Sequence, residues 1–127
     1  MARIVIIEDD GGVVDLISTI LSRDGHEVFV AHSASHGIDL VSCLCDASST
    51  PVLVITDIFM PDLDGLEVTS QIKREHPGVA VIAISGGGDA GERGYLVAAR
   101  EFGADFTLPK PFRPRELRAA VDELLRA

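Results

Sequence analysis

Residues 51–66 read PVLVITDIFMPDLDGL. Val52 to Ile55 is an unbroken aliphatic run, the signature of a short strand buried on both faces. Thr56 and Asp57 follow at once, then Met60-Pro61, two further acids at Asp62 and Asp64, and Gly65. A strand this apolar belongs in the middle of a core. Asp57 is therefore delivered to its carboxyl end, where open α/β sheets place their chemistry. Pro61 and Gly65 mark an irregular loop ahead of the next helix. Taken alone, the segment also suits a capping aspartate with solvated acids behind it, so the flanking chain has to decide.

Upstream, Arg3 to Ile7 is a second aliphatic strand, and it ends abruptly in Glu8-Asp9-Asp10. Adjacent acids raise one another's pKa and are unfavourable unless something positive neutralises them. Asp10 suits the cap of the following helix, which leaves Glu8 and Asp9 to be explained. Val13, Leu16, Ile17, Ile20 and Leu21 recur at helical spacing, giving a helix from Gly11 to Arg23 closed by Asp24-Gly25. Glu27 to Ala31 reads as a short strand at the sheet edge. Ala34 to Asp46 reads as a helix with Ile38, Val41 and Cys45 on one stripe, and Ser48-Ser49-Thr50-Pro51 as a turn.

Downstream, Leu66 to Glu75 makes a helix closed by His76-Pro77-Gly78, and Val79 to Ile84 is a wholly apolar strand ending in Ser85. Gly86-Gly87-Gly88 follows, without the GxGxxG or GK[ST] pattern of a nucleotide loop. A mobile connection, or close approach of backbone to a phosphoryl group, fits it better. Ala90 to Phe102 reads as a helix stopped by Gly103, and Asp105 to Leu108 as a strand leading into Pro109-Lys110-Pro111-Phe112. Leu117, Val121, Leu124 and Leu125 form the apolar stripe of a last helix from Pro114 to Arg126. Strands alternating with helices indicate an α/β fold, a parallel sheet covered on both faces. Right-handed crossovers favour a doubly wound, flavodoxin-like sheet of five strands in the order 2-1-3-4-5 with five helices. No linker, repeat or low-complexity stretch breaks residues 1–127, which read as a single domain without an output domain.

The totals agree with this. A chain of 127 residues with 46% hydrophobic and 24% charged residues is globular, with room for a core that needs no disulfide or metal staple. Cys43 and Cys45 have neither redox nor zinc spacing and read as small residues on or near an apolar helix face. His26, His32, His36 and His76 show no metal-ligand spacing. The formal net charge of −9 argues against a nucleic-acid face. With neither a membrane-length apolar run nor a secretory signal, the expectation is a cytoplasmic protein away from membranes.

Reading only the carboxyl ends of the strands gives Glu8 and Asp9, Asp57, Ser85 and Lys110. A parallel sheet turns all these ends one way, so they converge on one rim. Carboxylates without Cys or His partners suit a hard ion such as Mg²⁺, which would offset the repulsion at Glu8 and Asp9. Lys110 and the Ser85 hydroxyl could hold phosphoryl oxygens. Asp57 is then a carboxylate nucleophile able to form an aspartyl-phosphate.

With the Glu8-Asp9 pair, TDIFMPDLDG around Asp57, Ser85 and Lys110-Pro111-Phe112 in order, the chain resembles a receiver domain of two-component response regulators. It is similar to the stand-alone chemotaxis-type regulator, along essentially its whole length. The resemblance implies that Asp57 accepts a phosphoryl group from a histidine kinase or phosphotransfer protein. It implies Mg²⁺ held by Asp9, Asp57 and the Phe59 carbonyl, with Glu8 on a metal water. Lys110 would pair with phosphoryl oxygens, and Ser85 would bond to them when the switch closes. It further implies a cis Lys110–Pro111 peptide and readout by a downstream protein on helix 4, strand 5 and helix 5, in a monomer or weak dimer. Phe59 should slow loss of the phosphoryl group.

Two departures stand out. The switch aromatic usual three residues before the lysine is Thr107 here, and Phe106 beside it should face the other way. The Ser85–Gly103 segment is longer than in the chemotaxis-type regulator, so the β4–α4 loop is expected to report phosphorylation. Rival readings remain. A haloacid-dehalogenase-like phosphatase would carry a DxD nucleophile after strand 1, where this chain has Glu8-Asp9-Asp10. A receiver-like interaction module would normally have lost Asp57, the acid pair or Lys110. A flavin carrier would have a phosphate loop after strand 1. The expectation is a signalling switch that catalyses only its own phosphorylation and dephosphorylation.

Overall fold

The aliphatic runs pair with one another. In the computed structural model β1 (Arg3–Ile7), β2 (Glu27–Ala31), β3 (Val52–Asp57), β4 (Ala80–Gly86) and β5 (Phe106–Lys110) form one sheet. Its order is β2-β1-β3-β4-β5, and every pairing is parallel. The helices are α1 (Gly11–Arg23), α2 (Ala34–Ala47), α3 (Gly65–Glu75), α4 (helical at residues 97–101) and α5 (Pro114–Arg126). The structure describes residues 2–47, 50–58, 65–86 and 97–126. The Ser48-Ser49 turn, Phe59 to Asp64, and residues 87–96 with the rest of the glycine run and the expected start of α4 lie outside them.

Side chains alternate across a strand, and each face of this sheet has its own core. Ile4 and Ile6, Leu53 and Ile55, Ile82 and Ile84, and Phe106 and Leu108 pack with α1 and α5. The alternate residues Val5 and Ile7, Val52 and Val54, and Val79 and Val81 pack with α2 and α3. A third, smaller cluster joins Ala99 of α4 and Ala104 to Ala83, Ile58 and Leu66. Fully burying an isoleucine or leucine stabilises by about 1.5–3 kcal/mol, whereas a single methyl group supplies roughly 0.8 kcal/mol. The described part of α4 thus meets its neighbours through small side chains.

Local chemistry sets the element ends. Asp10 caps α1, its Oδ1 accepting from the amides of Gly12 at 2.9 Å and Val13 at 3.3 Å. Ser33 Oγ accepts from the His36 amide at 3.2 Å ahead of α2. Glu116 reaches back to the Arg113 amide at 2.9 Å, and Pro114 occupies the first turn of α5. The strands outlast their apolar runs, because ladder hydrogen bonds do not require apolar side chains. β3 extends to Asp57, β4 to Gly86, and β5 to Lys110, which lies opposite Gly86. The Lys110–Pro111 peptide is cis. One expectation changes. Leu16 is 44% exposed rather than part of the buried stripe of α1, which consists of Val14, Ile17, Ile20 and Leu21. Cys43 is exposed, one position off the face that buries Val41 and Leu44.

Candidate phosphoryl-transfer site

The alternation that builds the α1/α5 core also builds the site. Glu8 continues the row of Ile4 and Ile6, Asp57 that of Leu53 and Ile55, and Lys110 that of Phe106 and Leu108. Three ionisable side chains therefore cap one hydrophobic core at the carboxyl edge of the sheet. Lys110 Nζ donates to Glu8 Oε1 at 2.7 Å and to Asp57 Oδ2 at 3.3 Å. Its ammonium bridges residues separated by 102 and 53 positions in sequence.

Glu8 is fully buried and Asp57 nearly so, while Asp9 is exposed. Glu8 Oε2 accepts from the backbone amides of Asp9 at 3.0 Å and Asp10 at 3.4 Å, so both of its oxygens are engaged. Burial pushes the Glu8 carboxyl from 4.5 up to about 7, in spite of Lys110 and with Asp57 adding to the rise. Burial opposes charge on Lys110 as well, but Glu8 and Asp57 outweigh it and hold the ammonium above its ordinary range. One cation thus faces more negative charge than it can balance.

That imbalance, with the donor chemistry, is the test of a metal. Glu8, Asp9 and Asp57 each bring a carboxylate oxygen to within 4.8 Å of the others. An all-oxygen set beside a charge deficit fits a hard divalent cation. Glu8, Asp9 and Asp57 are the residues that could hold it. Phe59, whose carbonyl the sequence reading added, lies outside the described residues.

Ser85 is fully buried on β4, one position beyond Ile84, the register partner of Asp57. It follows Val81 and Ala83 and so belongs to the other row, under α3 and α4. Thr107 shares that row, opposite Ala83, whereas Phe106 lies opposite Ile82 and packs into the α1/α5 core. Phe106 does not take the place of an aromatic at 107.

Two contributions were not read from the sequence. Gly65 donates its amide to Ile58 O at 2.8 Å, and a Cβ there would run into Ile58 Cα and approach Asp57 O at 2.5 Å. Only glycine lets α3 press against the backbone that carries Asp57. The other is an apolar hollow of about 290 Å³ lined by Val13, Leu16, Lys110, Pro111 and Phe112. It opens beside the Lys110 stem. Leu16 recurs at helical spacing with the buried stripe of α1, so the sequence carried no signal of the hollow.

A family model described as the response regulator receiver domain matches residues 4–122. The response regulator MprA of Mycobacterium avium (strain 104) is 35% identical over 124 residues, covering 98% of this chain and 51% of the relative. The chain spans about half the length of the curated relatives it matches. A response regulator receiver domain protein from Clostridium thermocellum superposes with a TM-score of 0.87 at 30% identity, over 99% of this chain and 95% of the other. A CheY-like receiver domain protein from Methanospirillum hungatei JF-1 gives 0.83 at 28% identity, over 99% and 94%.

Proposed function

The chain belongs to the response regulator receiver domain family, and from that premise we propose that Asp57 is a phosphoacceptor served by a phosphohistidine on a histidine kinase or phosphotransfer protein. The observation that carries this reading is the single ammonium of Lys110 set between Glu8 and Asp57 at the sheet rim. An Asp57 carboxylate oxygen forms a bond to phosphorus while the phosphorus–nitrogen bond breaks, its electron pair staying on the imidazole nitrogen. Bound Mg²⁺ supplies charge neutralisation to the transferred group. Asp9 and Asp57 would hold that ion, with Glu8 behind them. Lys110 neutralises the acceptor and afterwards follows the phosphoryl oxygens, and the Ser85 hydroxyl joins them from the neighbouring strand.

The product carries more charge and more acceptor oxygens than Asp57 alone, so it favours the arrangement in which Ser85 and Lys110 reach them. The outcome is a switch that turns over only its own phosphoryl group and signals through a partner on α4, β5 and α5. The apolar hollow beside Lys110 is contiguous with the site, so the protein that delivers the phosphoryl group is its natural occupant. The deciding experiment is intact-mass measurement after incubation with acetyl phosphate and Mg²⁺. The wild type is expected to gain one phosphoryl group, lost on adding chelator beforehand and absent from Asp57→Asn. An unchanged wild-type mass would reject the reading, and turnover of a small phosphate ester would favour a phosphatase.

A further inference from the structure

At the amino end of the sheet, away from Asp57, one side chain gathers three segments. Lys73, in the last turn of α3, donates from Nζ to Val79 O at 2.8 Å, Asp105 Oδ2 at 3.0 Å and Pro77 O at 3.5 Å. The same Asp105 oxygen accepts from the Val81 amide at 2.9 Å, and the Asp105 amide donates to Val81 O at 2.8 Å. Asp105 thereby closes the β4–β5 ladder just before its first register pair, Ile82 with Phe106. Immediately ahead, Gly103 turns the chain at φ +115°, and a Cβ there would lie 3.0 Å from Lys73 Cγ.

α4 runs into this knot. Its end is tied off by the amides of Phe102, Gly103 and Ala104 donating to the carbonyls of Ala98, Arg100 and Ala99. Among the described residues, α4 packs through alanine methyl groups on Ala83 of β4, Ile58 just after β3 and Leu66 of α3. The turn that follows the helix is thus held by a charge-assisted bond and closed by its own amides, while the described residues of α4 rest on small contacts. Ser85, in the same row as Ala83, would bring any change at the phosphoryl site to the underside of that helix.

We propose that the Lys73–Asp105 pair is a pivot, and that phosphorylation tilts α4 about Gly103 rather than sliding it along the sheet. This rests on Asp57 being the phosphoacceptor. The test is amide hydrogen exchange over residues 97–106 with Mg²⁺, with and without beryllofluoride, whose binding is followed separately by fluorine NMR. In the wild type, beryllofluoride is expected to change exchange at 97–101 several-fold and to leave 103–106 as they were. Lys73→Met, and Asp105→Asn, which keeps an acceptor for Val81, should each speed exchange at 103–106 about tenfold with or without the mimic. Their fluorine signal should match that of the wild type. An equal change along 97–106 in the wild type, or wild-type exchange at 103–106 in both variants, overturns the pivot. A wild type that gives no bound-fluoride signal overturns the phosphoacceptor reading and the tilt with it, even if the variants loosen 103–106.

Discussion

Among the described residues, Glu8 holds the least comfortable position, a carboxyl sealed in protein that shares one ammonium with Asp57. Without a divalent ion, the folded chain keeps its proton up to about pH 7, whereas the unfolded chain releases it near 4.5. Between those values the folded state binds more protons, so stability is greatest below pH 4.5 as far as this group is concerned and is lost as pH rises through about 7. In chelator, the unfolding free energy of the wild type measured in urea should therefore fall relative to that of Glu8→Gln across that interval, by a few kcal/mol at most. Parallel profiles for the two proteins would show that Glu8 is not buried as described. The sequence showed that three successive acids at a strand end need a counter-charge, for which it offered Mg²⁺; the Lys110 ammonium, which it assigned to phosphoryl oxygens, bonds to Glu8 as well. It could not show that Glu8 rather than Asp9 is the sealed one, since that depends on which row of the sheet each residue continues.

The element boundaries were legible where hydrophobicity stops and less so where only the backbone ladder continues. β1, β2, α1 and α5 coincide with their apolar patterns, while β3, β4 and β5 run on through Asp57, Gly86 and Lys110. Strand alternation predicted that Phe106 and Thr107 face opposite sides, and they do. α1 was read less well, because helical spacing alone cannot separate a buried stripe from a neighbour on its flank. Leu16 sits on that flank, part of the hollow that also includes Phe112. If the hollow receives the phosphodonor, Leu16→Ser should slow transfer from the cognate kinase by about tenfold, a loss of roughly 1.4 kcal/mol at one contact. Labelling by acetyl phosphate, which needs no docking surface, should stay at the wild-type rate. Equal slowing with both donors would place Leu16 in the fold rather than in the interface.

For the molecule as a whole, the order of the strands followed from five apolar runs and the handedness of their connections, and the structure has that order. The net charge of −9 makes the excess at the rim part of a general acidity. A cation that neutralises it should stabilise the entire domain. At a hundredfold excess over its dissociation constant, Mg²⁺ should add about 2.7 kcal/mol. Thermal melts should thus rise with Mg²⁺ in the wild type and stay flat in Asp9→Asn; a matching rise in that variant would place the ion elsewhere.

Lys73 and Lys110 are the chain's only lysines. One sits at the carboxyl edge of the sheet and the other at the opposite edge, beside the turn that follows α4. Reductive methylation with labelled formaldehyde would therefore yield two internal resonances that need almost no assignment. The first would register arrival of the ion or the phosphoryl group, and the second the behaviour of the anchor. A single pair of peaks could then follow cause and response in the same sample.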